Sequence, residues 1–498
     1  MNNQILSIIT NRTLTYNQKV IQLASCAESM ITPIELTDSE KNYVNDKIIC
    51  TMYEGNAPYR PRYVIADFEN FMKKGSIFLG LPPPKNIHEA INSLLILYKH
   101  IPSITSFPVY IGNLDSLLNP FIQDEKEAEE AIRLFLVHID KTITDSFCHG
   151  NIGPNDTIAG KILLKLFKEL DFAIPNITLK VSDNTSKDFL AEAMKCAMHT
   201  AKPSFANDSL FRKDFNGDYA IASCYNGLKI GGGSHTLVRI ILANLAKRAN
   251  SANDFFHHHL PDAVKKTCSL MDKRVKFLVE KSRFFQSNFL VKENLVNLDN
   301  FTAMFGMVGL SECVNTLFDK DGKAGRFGHD KDADSLGLMI ISEIDKLVKQ
   351  HKAPYCKATN GSYVLHAQVG ISDDKGISPG CRIPAGEESE LFEHIMQSAP
   401  FHKYFPSGIG DIFVFDQTYR NTPNALIDIM KGCFSNNLRY ISFYCKDCDV
   451  VRISGYLVKR SEIEKLRKSE AVLNDATVLG KEAEENLLSM NRKIRTSR

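Results

Sequence analysis

The stretch "DVVRISGYLVKR" spans residues 449–460 and places Gly455 between Ser454 and Tyr456, just after a strand-like run. Glycine tolerates backbone angles that other residues avoid, so the simplest interpretation of this glycine is a hairpin turn. Taken alone, the tripeptide supports no other interpretation. The rest of the chain decides whether Gly455 has a second role.

A second stretch, "DYAIASCYNGLKIGGG" (218–233), ends a β-run at Cys224 and then becomes rich in glycine. A single cysteine at the end of a strand is usually a small buried hydrophobic residue. A cysteine at a glycine-flanked loop tip is also how a reactive sulfur is presented inside a closed site. His235 is near in sequence, but no third group orients it, so a hydrolytic cysteine nucleophile is not supported.

Strand-like and helix-like segments alternate along most of the chain. Predicted strands, which are β-branched or aromatic and bounded by Gly, Pro or Asn, are 62–68, 106–112, 176–182, 218–224, 361–370, 410–416 and 439–445. Amphipathic helices are predicted over 86–100, 157–170, 187–201 and 332–351. Such alternation indicates an α/β protein with mainly parallel strands and is compatible with a barrel.

Composition excludes several functional classes. The net charge of +2 over 498 residues provides no field that would attract nucleic acid or anionic lipid. No apolar run approaches the roughly 20 residues of a membrane span, and no secretory signal is recognisable at the N-terminus. The twelve cysteines are scattered, which is typical of a reduced, cytoplasmic protein. We therefore expect no nucleic-acid partner and no membrane partner.

Three patterns resemble metal sites only in part. Cys445 and Cys448 form a CxxC pair with Cys433 as a third thiol, whereas structural zinc takes four ligands. The adjacent histidines at 257–259 cannot all converge on one helix face. The acidic loop at 319–334 has its glycine at the wrong position for an EF-hand. We expect the chain to bind no metal, and we interpret Cys445 and Cys448 as strand-end thiols.

Several segments, taken in chain order, together resemble the glycyl radical enzymes, the superfamily of pyruvate formate-lyase and the anaerobic ribonucleotide reductases. The likeness is closest to the YjjI-type branch and extends from about residue 175 to 460, more faintly over 60–120. The matching segments are "PNITLKV" (175–181), "PSFANDSLF" (203–211), "DYAIASCYN" (218–226), "GGGSHTLVRIILANLA" (231–246), "FGMVGLSECVNTL" (305–317) and "VVRISGYLV" (450–458). In the family these are strands, a finger loop with a thiyl cysteine, a glycine-to-helix segment, a helix start and a radical loop.

The resemblance implies that Gly455 stores an organic radical and that Cys224 becomes a thiyl radical that abstracts hydrogen from the substrate. Two peptide groups delocalise a glycyl spin, and the absence of a side chain lets Cα approach planarity. Arg452, Ser454 and Tyr456 would support the radical loop. Asn226, Glu312 and Cys313 are candidates for the substrate pocket, although Cys313 follows a helix start and is interpreted mainly as helix packing.

The resemblance also implies a fold and partners. The expected fold is a ten-stranded α/β barrel of two antiparallel halves, each of five parallel strands, with helices outside and the finger and glycyl loops inside. The expected domains are an N-terminal helical segment (1–60), the barrel (61–435) and a glycyl radical domain with a charged helical tail (436–498). A separate activase, a radical S-adenosylmethionine enzyme with an iron–sulfur cluster, would act on an exposed glycyl loop. The barrel itself would bind no organic cofactor, and a homodimer is expected.

Departures from family patterns leave the reaction open. Ser223 precedes Cys224, so the two adjacent cysteines of pyruvate formate-lyase are absent, and Asn226 replaces the glutamate of the Cys-x-Glu eliminases. Only three cysteines occur where the reductases have a four-cysteine knob. Lyase, eliminase and reductase outcomes on a small polar substrate all remain. The alternatives are a catalytically silent relative, acting as a binding or radical-domain repair protein, and a purely structural α/β protein.

Overall fold

The computed structural model describes residues 2–28, 30–31, 33–51, 59–104, 106–367, 376–474 and 491–496. Its strands are β1 Ile49–Cys50, β2 Tyr63–Ile65, β3 His149–Ile152, β4 Asn176–Val181, β5 Ser204–Asn207, β6 Tyr219–Ala222, β7 Asn226–Lys229, β8 Gly232–Ile241, β9 Phe301–Val308, β10 Val364–Ala367, β11 Asp411–Phe415, β12 Tyr440–Cys445, β13 Val450–Arg452, β14 Leu457–Lys459 and β15 Ile494–Arg495.

Helices precede and separate these strands. They are α1 Asn2–Thr10, α2 Tyr16–Glu28, α3 Asp38–Asn45, α4 Phe68–Lys74, α5 Ile87–Tyr98, α6 Leu114–Leu118, α7 Glu125–Thr142, α8 Ile158–Leu170, α9 Lys187–Thr200, α10 Asp208–Asp214, α11 Leu242–Arg248, α12 Ala252–Asp254, α13 Leu260–Lys276, α14 Phe284–Ser287, α15 Phe289–Lys292, α16 Leu310–Lys320, α17 Lys331–Gln350, α18 Leu391–His402, α19 Pro423–Ser435 and α20 Arg460–Arg467. Within the described ranges, no helix combines the length and apolarity needed to cross a membrane.

The predicted helices are confirmed because their capping residues and apolar spacing agree. Helix α5 begins after Asn86, whose side chain accepts a hydrogen bond from the backbone N–H of Glu89. Helix α8 begins after Thr157 in the same way and buries Leu163, Leu166 and Phe167 on one face. Helices α9 and α17 also lie where the spacing predicts them.

Two larger sheets contain most of the strands. In the first, β8 pairs with β9 and β9 with β10 in parallel, while β1 and β2 run antiparallel along β8. The second has the order β15-β11-β12-β5-β4-β3 and is parallel except where β12 meets β5. Residues of β4, β8, β9 and β12 are buried throughout, as expected for sheets covered on both faces.

The fold class is therefore α/β, and two sets of parallel strands meet in antiparallel orientation at β5 and β12. The described ladders do not form one continuous ten-stranded barrel, because they stop at the edges β3, β10 and β15. Strand β12 lies at the centre of the second sheet, although the expected boundary at residue 435 assigns it to a separate domain. The division of the chain at residues 60 and 435 stays a prediction.

Three local predictions are wrong. Residues 106–112 form no strand, although the N–H of Ile111 bonds to the carbonyl of His149 at the edge of β3. The segment 231–246 is mainly the strand β8, and its helix begins only at Leu242 because β-branched residues precede that point. Within the described residues of the tail, α20 ends at Arg467, and the strand β15 pairs with β11. Residues 368–370 of one predicted strand and 475–490 of the tail lie outside the described residues.

Candidate active site

Two hairpin tips meet in the interior of the protein. The finger loop, residues 223–225, joins the antiparallel strands β6 and β7, and the glycyl loop, residues 453–456, joins β13 and β14. All residues of both loops are buried. Ser223 takes a left-handed backbone conformation with φ 57°, which is uncommon for a residue with a side chain. The sharp turn at Ser223 places Cys224 at the tip of its hairpin.

Gly455 lies directly against Cys224. A Cβ built on Gly455 would lie 2.1 Å from the Cys224 Cβ and 3.0 Å from its Sγ, whereas carbon atoms in contact are normally about 3.5–4.0 Å apart. Since a Cα–Cβ bond is about 1.5 Å long, the sulfur lies within about 4.5 Å of the Gly455 Cα. Gly455 is not among the glycines with positive φ. The hairpin position is confirmed, but close approach to Cys224, rather than a special backbone angle, requires glycine there.

The Cys224 side chain is a neutral thiol at physiological pH. Burial raises its pKa from the usual 9.0 to about 11, although Ser223 and the guanidinium groups of Arg62, Arg452 and Arg382 partly oppose the rise. Nucleophilic cysteines have a lowered pKa, because the thiolate is the reactive form. Cys224 therefore keeps its S–H bond, which suits transfer of a hydrogen atom and does not suit nucleophilic attack.

Asn176, the first residue of β4, holds the glycyl loop in place. Its Nδ2 donates to the carbonyl oxygen of Gly455 at 2.9 Å. Its Oδ1 accepts from Nη2 of Arg452 at 3.0 Å, and Arg452 also donates through Nε to the carbonyl of Ala201 at 3.0 Å. Asn176 and Arg452 are almost fully buried. The predicted supporting residue Arg452 thus lies beside the loop and contacts it through Asn176.

His149, Thr178 and Tyr440 hold the finger loop. Nδ1 of His149 lies 2.7 Å from the carbonyl oxygen of Ser223, and since a carbonyl only accepts, this nitrogen is the donor. Nε2 of His149 lies 2.8 Å from the Thr178 hydroxyl, and the Tyr440 hydroxyl donates to the carbonyl of Cys224 at 3.3 Å. Burial lowers the pKa of His149 to about 3, so its imidazole is neutral. Neutral hydrogen bonds therefore fix the position of the sulfur.

The other two predicted loop residues flank Gly455. Tyr456 is buried, and its ring packs against Phe147 with the ring centres 5.3 Å apart. Ser454 is also buried, and its hydroxyl has no hydrogen-bond partner among the described residues. Ser454 faces a cavity, whereas Tyr456 closes the opposite side of the loop.

A cavity of about 270 Å³ begins at the glycyl loop. Its lining combines the start of α16, the segment 376–388, the start of β11 and residues near the C-terminus. The polar side chains of the lining include Glu312, Ser378, Arg382, Glu387, Glu388, His394, Asp411, Ser454 and Arg492. A much smaller cavity shares Arg382 and Asp411 with it and reaches Tyr225, the residue after Cys224. Space for a small molecule therefore lies beside Ser454, whereas the cavity beside Tyr225 has a volume of only about 10 Å³.

The three predicted pocket residues lie in different surroundings. Glu312 lines the larger cavity, where its Oε1 accepts from the backbone N–H and hydroxyl of Ser378 and its Oε2 has no partner. Burial raises the pKa of Glu312. The amide of Asn226 donates to the carbonyl of Ala222 at 3.0 Å, which stabilises the finger hairpin. Cys313 is fully buried in the main hydrophobic cluster on α16, so it packs in the core.

The thiols of the CxxC pair are buried where the second sheet meets α9. Cys445 ends β12, and Sγ of Cys448 donates to the carbonyl of Met198 at 3.4 Å. No group of three or more potential metal ligands occurs within the described ranges.

In this conformation the glycyl loop is buried, as expected for a loop inside the fold, and the C-terminal segment contacts the hairpin that carries it. Arg492 donates through Nη1 and Nη2 to the carbonyls of Arg452 and Ile453, at 2.8 and 2.6 Å. Its backbone neighbour Lys493 donates its N–H to Glu388 at 3.0 Å. The C-terminal segment therefore holds Arg452 and Ile453, the two residues before Ser454, in place by hydrogen bonds to their carbonyls.

Sequence reasoning did not identify His149, Asn176, Tyr440 or Arg492. Asn176 and Thr178 alternate with Ile177 and Leu179 along β4, and polar side chains on one face of a buried strand could have indicated an interior site. For Arg492, no sequence signal was available, because its role depends on how the end of the chain returns to β11.

Solved structures show which proteins share this fold. Hydroxyproline dehydratase from Clostridioides difficile has a TM-score of 0.68 at 12% identity, with 100% of this chain and 89% of that chain covered. The anaerobic ribonucleotide reductase of Thermotoga maritima has a TM-score of 0.67 at 12% identity, with 93% of each chain covered. Identities this low show the fold alone. The α/β fold is thus the one found in glycyl radical enzymes.

The family follows from closer similarity in sequence. Residues 14–495 match the family described as "Glycyl radical enzyme YjjI-like". An uncharacterized protein of Haemophilus influenzae is 45% identical over 498 residues, which cover 99% of this chain and 97% of that protein. The chain belongs to the YjjI-like family of glycyl radical enzymes.

Proposed function

We propose that the protein is an active glycyl radical enzyme in which Gly455 stores the radical and Cys224 transfers it to a small polar substrate. The observation that carries this proposal is the contact between the two residues, since the sulfur lies within about 4.5 Å of the Gly455 Cα. A glycine radical and a thiol exchange a hydrogen atom only over a short distance in a fixed geometry.

The steps balance with one thiol and one glycine. The Cys224 S–H gives its hydrogen atom to the Gly455 Cα, which becomes an ordinary CH₂ group and leaves a thiyl radical. The thiyl then takes a hydrogen atom from a C–H bond of the substrate. After the substrate radical has rearranged or lost a group, the product radical takes the hydrogen back from Cys224, and the thiyl regains the hydrogen of Gly455.

The surrounding residues bind, orient and protect the two reacting groups. Asn176 holds the carbonyl of Gly455, while His149 and Tyr440 hold the carbonyls of the finger loop. Burial of both loops excludes water and oxygen from the reacting atoms. We further propose that the two sets of parallel strands belong to the ten-stranded barrel of the superfamily, with the two loops inside it.

Radical formation requires a partner, because no residue of the site can remove a hydrogen atom from Gly455 unaided. We propose a separate activase that uses S-adenosylmethionine and an iron–sulfur cluster. Since the glycyl loop is buried in this conformation, the hairpin β13–β14 must move outward for the activase to reach Gly455. The contacts of Arg492 with the carbonyls of Arg452 and Ile453 must then break.

The testing experiment is anaerobic incubation with the activase and S-adenosylmethionine, followed by EPR. We expect a doublet from a carbon radical coupled to the single remaining hydrogen of Gly455. Later exposure to air should cut the chain at Gly455, which mass spectrometry of the intact protein would detect. An EPR-silent protein that survives air uncut would instead support the silent relative.

A further inference from the structure

Three arginines lie near the two proposed radical residues without forming an ion pair to a described carboxylate. Arg382, Arg452 and Arg492 form no ion pair with a carboxylate of the described residues. Arg452 and Arg492 are almost fully buried, and Arg382 is half-buried. A buried guanidinium without a negative partner is costly, so such a cluster points to a ligand that supplies the charge.

Of the three arginines, Arg382 has donors left for a ligand and also lines the cavity. Arg492 uses both terminal nitrogens on carbonyls of the glycyl hairpin, and Arg452 faces Asn176. Nε of Arg382 donates to the carbonyl of Gly410 at 2.7 Å, while its Nη1 is buried without a partner. This Nε–H bond fixes the guanidinium of Arg382 at the wall of the cavity and leaves its terminal nitrogens as the donors for a ligand.

The buried carboxylates of the cavity already have partners of their own. Asp411 accepts from His402 at 3.0 Å and lies 3.4 Å from His394. Glu388 accepts from the backbone N–H groups of Gly386 and Lys493. Glu312 is bound to Ser378, and Glu387 is exposed at the rim. None of these carboxylates neutralises Arg382.

Arg382 also lies in the right place to position a substrate. It lines both cavities, and its guanidinium carbon lies 5.7 Å from the centre of the Tyr225 ring. Tyr225 follows Cys224, and Ser454 in the larger cavity precedes Gly455. Arg382 therefore lies among residues that are the chain neighbours of both proposed radical residues.

We propose that the substrate carries a carboxylate or a phosphate, and that this anionic group binds the terminal nitrogens of the Arg382 guanidinium. The assignment of the ligand as substrate rests on the proposed function, whereas the anion site itself does not. A planar guanidinium binds carboxylate and phosphate oxygens through two parallel hydrogen bonds. The cavity volume of about 270 Å³ lies at the small end of ligand pockets, which span about 300–1,000 Å³. The substrate is therefore a small anionic molecule.

The test measures binding to the full-length, unactivated protein by calorimetry, with acetate, inorganic phosphate and acetamide as probes. Acetamide has the shape of acetate without its charge. We expect acetate or phosphate to bind at least about tenfold more tightly than acetamide, as charge-assisted hydrogen bonds require. The tighter of the two anions identifies the chemical group. Equal affinities for acetate and acetamide, or no saturable binding of either anion at millimolar concentrations, would overturn the proposal.

Variants of Arg382 test whether this residue forms the anion site. Arg382→Gln should remove the preference for the anion, Arg382→Lys should retain part of it, and Arg326→Gln should change nothing, because Arg326 is exposed and pairs with Asp319. An anion preference that survives in Arg382→Gln contradicts the assignment. If Arg382→Gln fails to fold, phenylglyoxal labelling of the wild type replaces it: acetate or phosphate, and not acetamide, should protect Arg382 in peptide mass spectra. None of these measurements needs the radical, so their failure is distinguishable from an absent EPR signal.

Discussion

Gly455 and Cys224 are packed so closely that the space of a single methyl group at Gly455 is already occupied by the Cys224 side chain. The two residues are 231 positions apart in the chain, and each lies at the tip of its own hairpin. A structural role alone would not require a glycine facing a sulfur, since an apolar side chain would fill the same space. The contact is the arrangement that transfer of a hydrogen atom between the two residues needs.

Replacement of Gly455 by alanine should abolish the radical. The new Cβ would lie 2.1 Å from the Cys224 Cβ, so the loop must shift, and overpacking of this kind costs about 1–3 kcal/mol of folding free energy. The added carbon also hinders planarity at Cα. We expect no EPR doublet after incubation with the activase, and a lower melting temperature. Gly432→Ala is the matched control, because nothing lies within 4 Å of the methyl group that it adds; a doublet in Gly455→Ala would refute the assignment.

Cys224→Ala should keep the radical but isolate it from solvent. In D₂O the wild-type thiol becomes S–D, and repeated exchange with Gly455 places deuterium on its Cα, so the EPR doublet should collapse toward a single line. Without the sulfur this route is absent, and the doublet should persist. The measurement needs no substrate.

The rival thiol provides the control for this experiment. Cys313 is fully buried in the hydrophobic cluster on α16, so Cys313→Ala should lose the doublet in D₂O as the wild type does. Its expected effect is on stability alone, at the few kcal/mol typical of a cavity in a core. If the doublet persists in Cys313→Ala and collapses in Cys224→Ala, the thiol has been assigned to the wrong residue.

The class of fold and the positions of Gly455 and Cys224 at hairpin tips could be predicted from the sequence, because both depend on local patterns, whereas the radical roles of these two residues stay a prediction. The sequence itself shows a glycine between Ser454 and Tyr456 and a cysteine after "DYAIAS". Helices such as α5 are preceded by a recognisable N-cap residue. The helix start that the family resemblance implied is also present: β9 ends at Val308, and α16 begins after Gly309, which has φ 78°.

Contacts between distant segments could not be predicted from such patterns. Asn176 meets Gly455 across 279 positions of the chain, and Arg492 meets Ile453 only because β15 adds to the edge of β11. The charged composition of the tail predicts a solvated helix, yet Arg492 and Arg495 are buried. Tertiary hydrogen bonds to backbone carbonyls outweighed the local preference at these positions.

Hydrogen transfer should be independent of pH over the range in which an ordinary cysteine ionises. The thiol must hold its hydrogen, and burial raises the pKa of Cys224 to about 11. The rate of collapse of the doublet in D₂O should therefore stay constant from about pH 7 to about pH 9 and fall only as the pH approaches that pKa. A rate of doublet collapse that is halved by about pH 9 would show an ordinary, solvated thiol.

The raised pKa of Cys224 also predicts that the folded state loses stability between the ordinary thiol pKa of 9.0 and about 11, since the unfolded chain releases this proton first.

Arg492 should control how readily the glycyl hairpin leaves the interior. Its two terminal nitrogens donate to the carbonyls of Arg452 and Ile453, and hydrogen bonds from a charged donor contribute about 1.5–3 kcal/mol each. Arg492→Ala should therefore increase hydrogen–deuterium exchange over residues 450–459, measured by mass spectrometry, and raise the initial rate at which the activase forms the radical. The same variant should lose its EPR signal faster in traces of oxygen, because the loop is exposed more often.

Lys493→Ala is the neighbouring control: the Lys493 side chain forms an ion pair with the exposed Glu390, and such pairs contribute about 0–1 kcal/mol. Unchanged exchange in Arg492→Ala, or an equal increase in Lys493→Ala, would mean that the C-terminal segment does not hold the hairpin.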